Sequence, residues 1–299
     1  MLFNTEKTSQ RYGLFLIDVV LYIRNEATMS HKEGARMDGS RIILAAHRGD
    51  RFKCPENTMA AFRSAIECGV DMIETDIQIT RDGELVIMHD RSASRTAGVD
   101  KNIDEMTLAE VKTLDAGSPF SEEFAGERIP TVKEFIALIK DEKILVNWEL
   151  KIYPSDFGDE VAFAAADKLI ELIEENGLAS RSMINSFSSR TLEYVKQKYG
   201  NKYPLHGQGI YRCRRSEDDP ILPEKDIFDW CCLYPSTKGA RAIDCAENFA
   251  YCREHGVIPC ICIPDILEDY KLAIDRGCKM FTSNNIYEAA KILKELGVR

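Results

Sequence analysis

From residue 41 onward the chain alternates short apolar runs with stretches whose apolar residues recur at helical spacing, and it keeps that rhythm to its end. Residues 41–46 read as a strand. Met59, Phe62, Ala65 and Ile66 then carry a helical pattern to a stop at Gly69, and 70–80 read as the next strand. Further strands are expected at 143–150, 182–186, 203–208, 227–233, 257–263 and 279–282, with helices in most of the intervals. Only the fifth unit shows no helix. Eight strands separated by helices define a (β/α)8 TIM barrel, and the length of 299 residues suits one barrel of about 250 plus an extension. The rhythm is broken after the second strand. A turn at Asp82-Gly83 leads to a short strand at 84–88, and residues 91–130 then form a small inserted excursion, read as lying over the barrel mouth. The expected organisation is an N-terminal extension over 1–40 and a barrel over 41–299, with the insertion at about 91–130.

Polar groups stand where apolar strands stop, which is where the fold builds its sites. The first strand ends in Ala46-His47-Arg48-Gly49, the second contains Glu74-Thr75-Asp76, and 86–88 run into His89-Asp90. Glu74 and Asp76, at i and i+2 on one strand, project to one face and can share a cation. Glu149 ends the next strand, so three oxygen donors can converge, a set that suits Mg2+ or Ca2+ and not a soft metal. His47 and His89 can act on one substrate as base and acid. Arg48 and Lys151, beside these groups, offer a fork and a point charge for a phosphodiester. Pro55, Glu56, Asn57 and Thr58 are expected to start the following helix and brace the histidine loop, with Asp90 orienting its neighbours.

The ordered blocks His47-Arg48-Gly49, Pro55-Glu56-Asn57-Thr58, Glu74-Thr75-Asp76 and His89-Asp90 resemble the glycerophosphodiester phosphodiesterase family. Leu114 to Ser118, Phe124 to Thr131, Asn147 to Lys151 and Ser186-Phe187 resemble that family's later blocks in the same order. The likeness is dense over 42–151 and thin beyond. It implies metal-dependent hydrolysis of a glycerophosphodiester to sn-glycerol 3-phosphate and an alcohol. It assigns Glu74, Asp76 and Glu149 to one divalent cation, Mg2+ or Ca2+, His47 and His89 to catalysis, and Arg48 and Lys151 to the phosphate. The order of acid and base between the histidines stays open. Two other readings remain: a related phosphodiesterase acting on lysophospholipids, and a non-catalytic phosphodiester-binding barrel. Pro119, Ile261-Cys262-Ile263-Pro264 and Thr282-Ser283-Asn284-Asn285 depart from the family pattern, and they are expected to shape the alcohol side of the substrate.

A net charge of −10 argues against a nucleic-acid or anionic-membrane surface, so any phosphate must be held by local cations. The expected partner is a small-molecule phosphodiester, with no nucleic acid and no stable membrane insertion. Gly13 to Ile23 is an apolar run of eleven residues broken by Asp18, short of the roughly 20 needed to span a bilayer. It is read as part of a non-catalytic extension, in which Met29 and Met37 are candidate starts. Arg212, Arg214 and Arg215 read as a solvated loop. Ten cysteines with no C-x-x-C spacing read as reduced thiols, and Cys231, Cys232, Cys260 and Cys262 as small core residues. The expected location is the cytoplasm. His31, His206 and His255 lack a motif and read as structural or surface groups.

Overall fold

A computed structural model describes residues 37–209, 223–233, 241–264 and 266–299. The extension up to residue 36, the Gly13–Ile23 run, His31 and the Arg212, Arg214, Arg215 cluster lie outside the described residues. The strands are β1 Ile43–His47, β2 Met72–Ile79, β3 Leu85–Ile87, β4 Leu145–Leu150, β5 Ser182–Ser186, β6 Leu205–Gln208, β7 Trp230–Cys232, β8 Ile258–Cys262 and β9 Met280–Ser283. Their order is β1-β9-β8-β7-β6-β5-β4-β2-β3, and an additional β1–β2 pairing closes the circle. Every pairing in the circle is parallel, so eight strands form a β/α barrel. Strand β3 stands outside it, antiparallel to the end of β2.

Side chains alternate across each strand. Outward residues Leu44, Ile73, Val146, Trp148, Ile184, Leu205, Cys231 and Phe281 join the helices in one apolar layer. Ile43, Met72, Leu145, Met183, Trp230 and Met280 are equally buried but outside that layer, and they fill the barrel's interior. At the C-terminal ends the inward positions turn polar. Register fixes the levels: His47 pairs with Glu74, Glu74 with Asn147, Asp76 with Glu149, and Glu149 with Asn185.

The excursion has its own small core, with Val86, Met88, Ile103, Met106, Val111, Leu114 and Ile129 packed together. Thr107 with Glu110 forms a capping box at its helix Leu108–Val111, and Thr131 with Glu134 forms another at the helix Val132–Ile139 that follows it. Asp115 accepts from the backbone N–H of Gly117, Ser118 and Gly126, and those bonds, Ser118's first, hold its carboxyl well below the usual range. A Cβ at Gly117 would lie 1.8 Å from the Phe124 carbonyl oxygen, so only glycine fits that crossing.

Three local expectations shift. Pro55 does not open the first helix; Thr58 caps it, accepting from Ala61 N, and the helix is Met59–Cys68. The Pro55 carbonyl instead accepts from Thr58 Oγ1 at 2.7 Å. Residues 227–229 are not strand, because a short helix, Glu224–Ile227, delivers the chain to β7 in the fifth unit. Residues 241–255 divide into a 3-10 turn, Ala242–Asp244, and a helix, Ala246–His255. No described helix is long and apolar enough to cross a membrane.

At the closed end of the barrel the Trp230 indole N–H donates to the Met37 carbonyl at 3.3 Å. A chain starting at Met37 keeps that acceptor and should melt close to the full-length protein. Starting instead at Arg41 strips the acceptor from a buried donor and should lower stability by about 1–3 kcal/mol, read by denaturant melts. Equal stability of the two truncations would show that Met37 contributes nothing.

Candidate active site

Strand β1 stops at His47 because Arg48 turns left-handed, at φ 60°, a rare state for a side chain of that size. The turn is held from β2: the Arg48 N–H donates to both the backbone carbonyl and Oε2 of Glu74, each at 3.0 Å. Asn57, also left-handed at φ 57°, donates from Nδ2 to Asp76 Oδ2 at 2.8 Å and accepts from Thr75 Oγ1. Glu56 ties Arg48, Arg51 and Arg95 together, at 2.9, 2.8 and 2.7 Å. The expectation that residues 55–58 brace the histidine loop therefore describes what they touch.

His89 arrives differently. The antiparallel return through β3 brings Met88 N within 2.9 Å of the Asp76 carbonyl, and Gln78 Nε2 donates to the His89 carbonyl at 3.1 Å. His89 Nδ1 meets Asp90 Oδ1 at 2.6 Å, while Arg95 Nε fixes the other Asp90 oxygen at 2.5 Å. His47 Nδ1 donates to Asn284 Oδ1 at 2.6 Å. Each ring thus has one nitrogen anchored and Nε2 left over; that of His47 lies 3.9 Å from Glu74 Oε2.

Glu74, Asp76 and Glu149 are buried, and one oxygen from each lies within 4.8 Å of the others. Lys151 Nζ bridges Asp76 Oδ1, at 3.2 Å, and Glu149 Oε1. Arg48 Nε lies 3.2 Å from Asp76 Oδ2. Asn185 Nδ2 donates to Glu149 Oε2 at 3.4 Å, and Gln208 Nε2 holds Asn185 Oδ1 at 2.8 Å. A cavity of about 260 Å³ opens above this set. Of the seven residues singled out in the sequence, His47, Arg48, Glu74, His89, Glu149 and Lys151 line it, and Asp76 sits behind them.

The ionisation of these groups follows from the crowding. Burial, then the charges of Asp76 and Glu149, push the Glu74 carboxyl well above its usual range, and burial raises Glu149 too. Burial would also raise Asp76, but Lys151 and Arg48 outweigh it and hold Asp76 at about 2. Burial and Arg48 lower His47 to about 4. Burial and Lys151 lower His89, against the pull of Asp76 and Asp90. Glu74 Oε1 is buried with no hydrogen-bond partner. Three close carboxylates, one with an orphaned oxygen, fit a hard divalent cation bound by oxygen donors.

Five residues to which the sequence assigns another role or none help to form the site. Asn284 was assigned with its neighbours to the alcohol side, yet it anchors His47 itself. Asn185 follows the inward alternation of β5 and would have been found from register alone. His206, read as structural or surface, is buried and lines the cavity with Gln208. Cys262 lines it as well, whereas Cys231 does sit in the outer apolar layer as expected.

A model of the glycerophosphoryl diester phosphodiesterase family matches residues 47–232, well over half of the chain. The chain belongs to that family. It is 44% identical over 161 residues to a glycerophosphodiester phosphodiesterase of Caldanaerobacter subterraneus, covering 52% of this chain and 63% of the relative. It is 31% identical over 159 residues to mouse glycerophosphodiester phosphodiesterase 1, covering 52% and 46%. The chain thus spans less than two thirds of the length of these relatives. The fold matches a Silicibacter pomeroyi structure described as a glycerophosphoryl diester phosphodiesterase, at TM-score 0.73 and 20% identity over 89% of this chain and 97% of that one. It also matches an Oleispira antarctica phosphodiesterase solved with its product sn-glycerol-3-phosphate, at TM-score 0.69 and 23% identity over 84% and 96%.

The raised Glu74 carboxyl makes a stability prediction with a definite sign. An acid whose folded pKa lies above its unfolded value near 4.5 favours folding less and less as pH rises between the two. Metal-free protein should therefore lose melting temperature as the pH rises above the ordinary carboxylate range. Glu74→Gln in chelator should flatten that loss, and added Mg2+ or Ca2+ should restore wild type. Parallel pH profiles for the two proteins would exclude repulsion at Glu74.

Proposed function

We propose that this chain is a metal-dependent phosphodiesterase that hydrolyses glycerophosphodiesters to sn-glycerol 3-phosphate and an alcohol. The observation that carries the reading is the pairing of three buried carboxylates with Arg48 and Lys151, below two histidines that each keep Nε2 free. Fully ionised, the five inner groups carry one excess negative charge. A divalent cation turns this into one excess positive charge, the amount a phosphodiester monoanion cancels. Held by Glu74, Asp76 and Glu149, that cation would neutralise phosphate oxygens and acidify a hydroxyl bound to it. Arg48 and Lys151 orient the phosphate from the flanks. Lys151 stays protonated, because Glu149 and Asp76 raise it against the effect of burial.

The environments of the two histidines support a division of labour. His47, held down to about 4, is neutral at pH 7, and its Nδ1–H on Asn284 leaves Nε2 as a lone pair. That form is a base, able to take the proton of the attacking hydroxyl. His89 is lowered overall by burial and Lys151, but the Asp90 carboxylate on its Nδ1 works the other way and favours the imidazolium that must protonate the leaving alkoxide. We assign His47 as base and His89 as acid. The described cysteines are all free, which supports a reducing compartment, the cytoplasm. Ile263, Ile266 and Leu267 are exposed beyond the end of β8, and Ile263 lines the cavity, which favours lysophospholipids as a second substrate class.

Product analysis on glycerophosphocholine, glycerophosphoethanolamine and a lysophospholipid tests the substrate class. Release of sn-glycerol 3-phosphate from the first two is expected. No release from any of the three would refute the reading. EDTA should abolish turnover and Mg2+ or Ca2+ should restore it; full activity in metal-free protein would remove the three-carboxylate assignment.

The histidine roles separate by leaving group. His89→Ala should cost about 10²–10⁴-fold on an aliphatic alcohol. It should recover much of that on p-nitrophenolate, which departs without a proton. His47→Ala should be equally slow on both. Identical patterns for the two variants would dismiss the acid and base assignments.

A further inference from the structure

The floor of the same cavity carries a second group of ligand atoms that the phosphodiester chemistry leaves unused. Strand β7 pairs Cys232 with Cys260 of β8, and Cys262, two residues on, shares the inward face. His206 projects inward from β6. Its Nε2 lies 3.1 Å from Cys260 Sγ, and Cys232 Sγ lies 2.9 Å from Cys262 Sγ. The ligand atoms of His206, Cys232 and Cys260 all fall within 4.8 Å of one another, and all three residues are buried. All three thiols are free.

We propose that His206, Cys232 and Cys260, with Cys262 as fourth donor, form a site for a thiophilic divalent cation of the Zn2+ type, separate from the carboxylate set. Sulfur and imidazole donors select such ions, whereas Mg2+ and Ca2+ prefer the carboxylate oxygens, so the two sites sort metals by ligand chemistry. Tetrahedral bonds of about 2.3 Å to sulfur and 2.0–2.1 Å to nitrogen place ligand atoms roughly 3.5–3.8 Å apart. The two close pairs reach that spacing by opening less than about 1 Å. Each thiol that binds gives its proton to solvent, so the sulfur coordinates as thiolate. His206 and Cys262 line the cavity, which supplies the entry path.

Asn147 provides a second, independent sign. Its Nδ2 lies 3.0 Å from His206 Nδ1, while its Oδ1 is buried without any hydrogen-bond partner. The amide's two ends have nearly the same shape, so rotating it by half a turn costs no space. Oδ1 then accepts from Nδ1–H, and the His206 Nε2 lone pair points at the thiols. A partner on the far nitrogen is what orients a metal-bound imidazole. The same rotation gives the oxygen its partner and puts the amide NH2 where the oxygen stood.

The test uses full-length, reduced protein saturated with Mg2+ and titrated with Co2+. One equivalent should produce thiolate-to-cobalt charge-transfer absorption with tetrahedral d–d bands, and Zn2+ should displace it. Cys232→Ser with Cys260→Ser should abolish the bands, Glu74→Gln should keep them, and Asn147→Ala should weaken binding by about 10–100-fold. If the double variant fails to fold, Cys262→Ser takes its place and should shift the bands or lower the affinity. Absence of thiolate bands in the wild type overturns the proposal, as does their survival unchanged in the thiol variants. Isolation of the reduced protein with Cys232 and Cys262 reoxidising to a disulfide, and no metal uptake, also overturns it. None of these readouts depends on turnover, so they stand or fall apart from the phosphodiesterase reading.

Discussion

Three buried carboxylates, with one oxygen of each within 4.8 Å of the others, repel each other, and much of the surrounding structure compensates for that repulsion. The compensation is uneven. Asp76 takes Lys151, Arg48 and the Asn57 amide, and stays ionised. Glu149 shares Lys151. Glu74 gives one oxygen to the Arg48 backbone and has nothing for the other. The result is a site whose least satisfied atom belongs to a residue that lines the cavity. Structure that would be a fault in a core is an invitation at a barrel mouth.

The same crowding organises the backbone. Strand β2 pairs with β1 and β4 along the barrel and with β3 at its end, and it is the only strand that supplies two of the carboxylates. Its Glu74 carbonyl and carboxylate both grip Arg48, so the buried Glu74 side chain and the histidine loop share one anchor. Its Asp76 carbonyl takes the N–H of Met88, which places His89. Both histidines and all three carboxylates are thus tied to one strand or its direct neighbours. Rigidity matters here because positioning, and not binding strength alone, sets the rate of a reaction between oriented groups.

The parts of this arrangement that show in a sequence are those with a short repeat. Strand alternation and helix period mark the barrel, and Glu74 with Asp76 announce a shared face because they lie two apart on one strand. The loop over 91–130 also declares itself, since glycine and proline break both periods. What does not show is pairing across long separations. Asn284 meets His47 across 237 residues, and only closure of β9 against β1 brings them together. Nothing at Asn284 itself marks it as polar support and not a turn residue. His206 and the cysteines of β7 and β8 fail to show for a different reason. Cysteine looks apolar in a strand, and the one-residue step between Cys231 and Cys232 decides which faces the helices and which faces the barrel interior.

That single step also separates two chemistries inside one barrel. The oxygen-rich ends of β2 and β4 and the sulfur-rich ends of β7 and β8 belong to opposite stretches of the strand circle, and the cavity touches both. Asn147 stands between them: its neighbour by register is Glu74, and its amide meets His206. A rotation of one buried amide would therefore select the imidazole's tautomer on one side without moving the carboxylates on the other. Glu149 is reached from the far side through Gln208 and Asn185, again by amides. Neutral amides suit this position because they relay hydrogen bonds without adding charge to a region already carrying three carboxylates. A charged residue at Asn147 or Asn185 would disturb the balance that Arg48 and Lys151 maintain, whichever sign it carried.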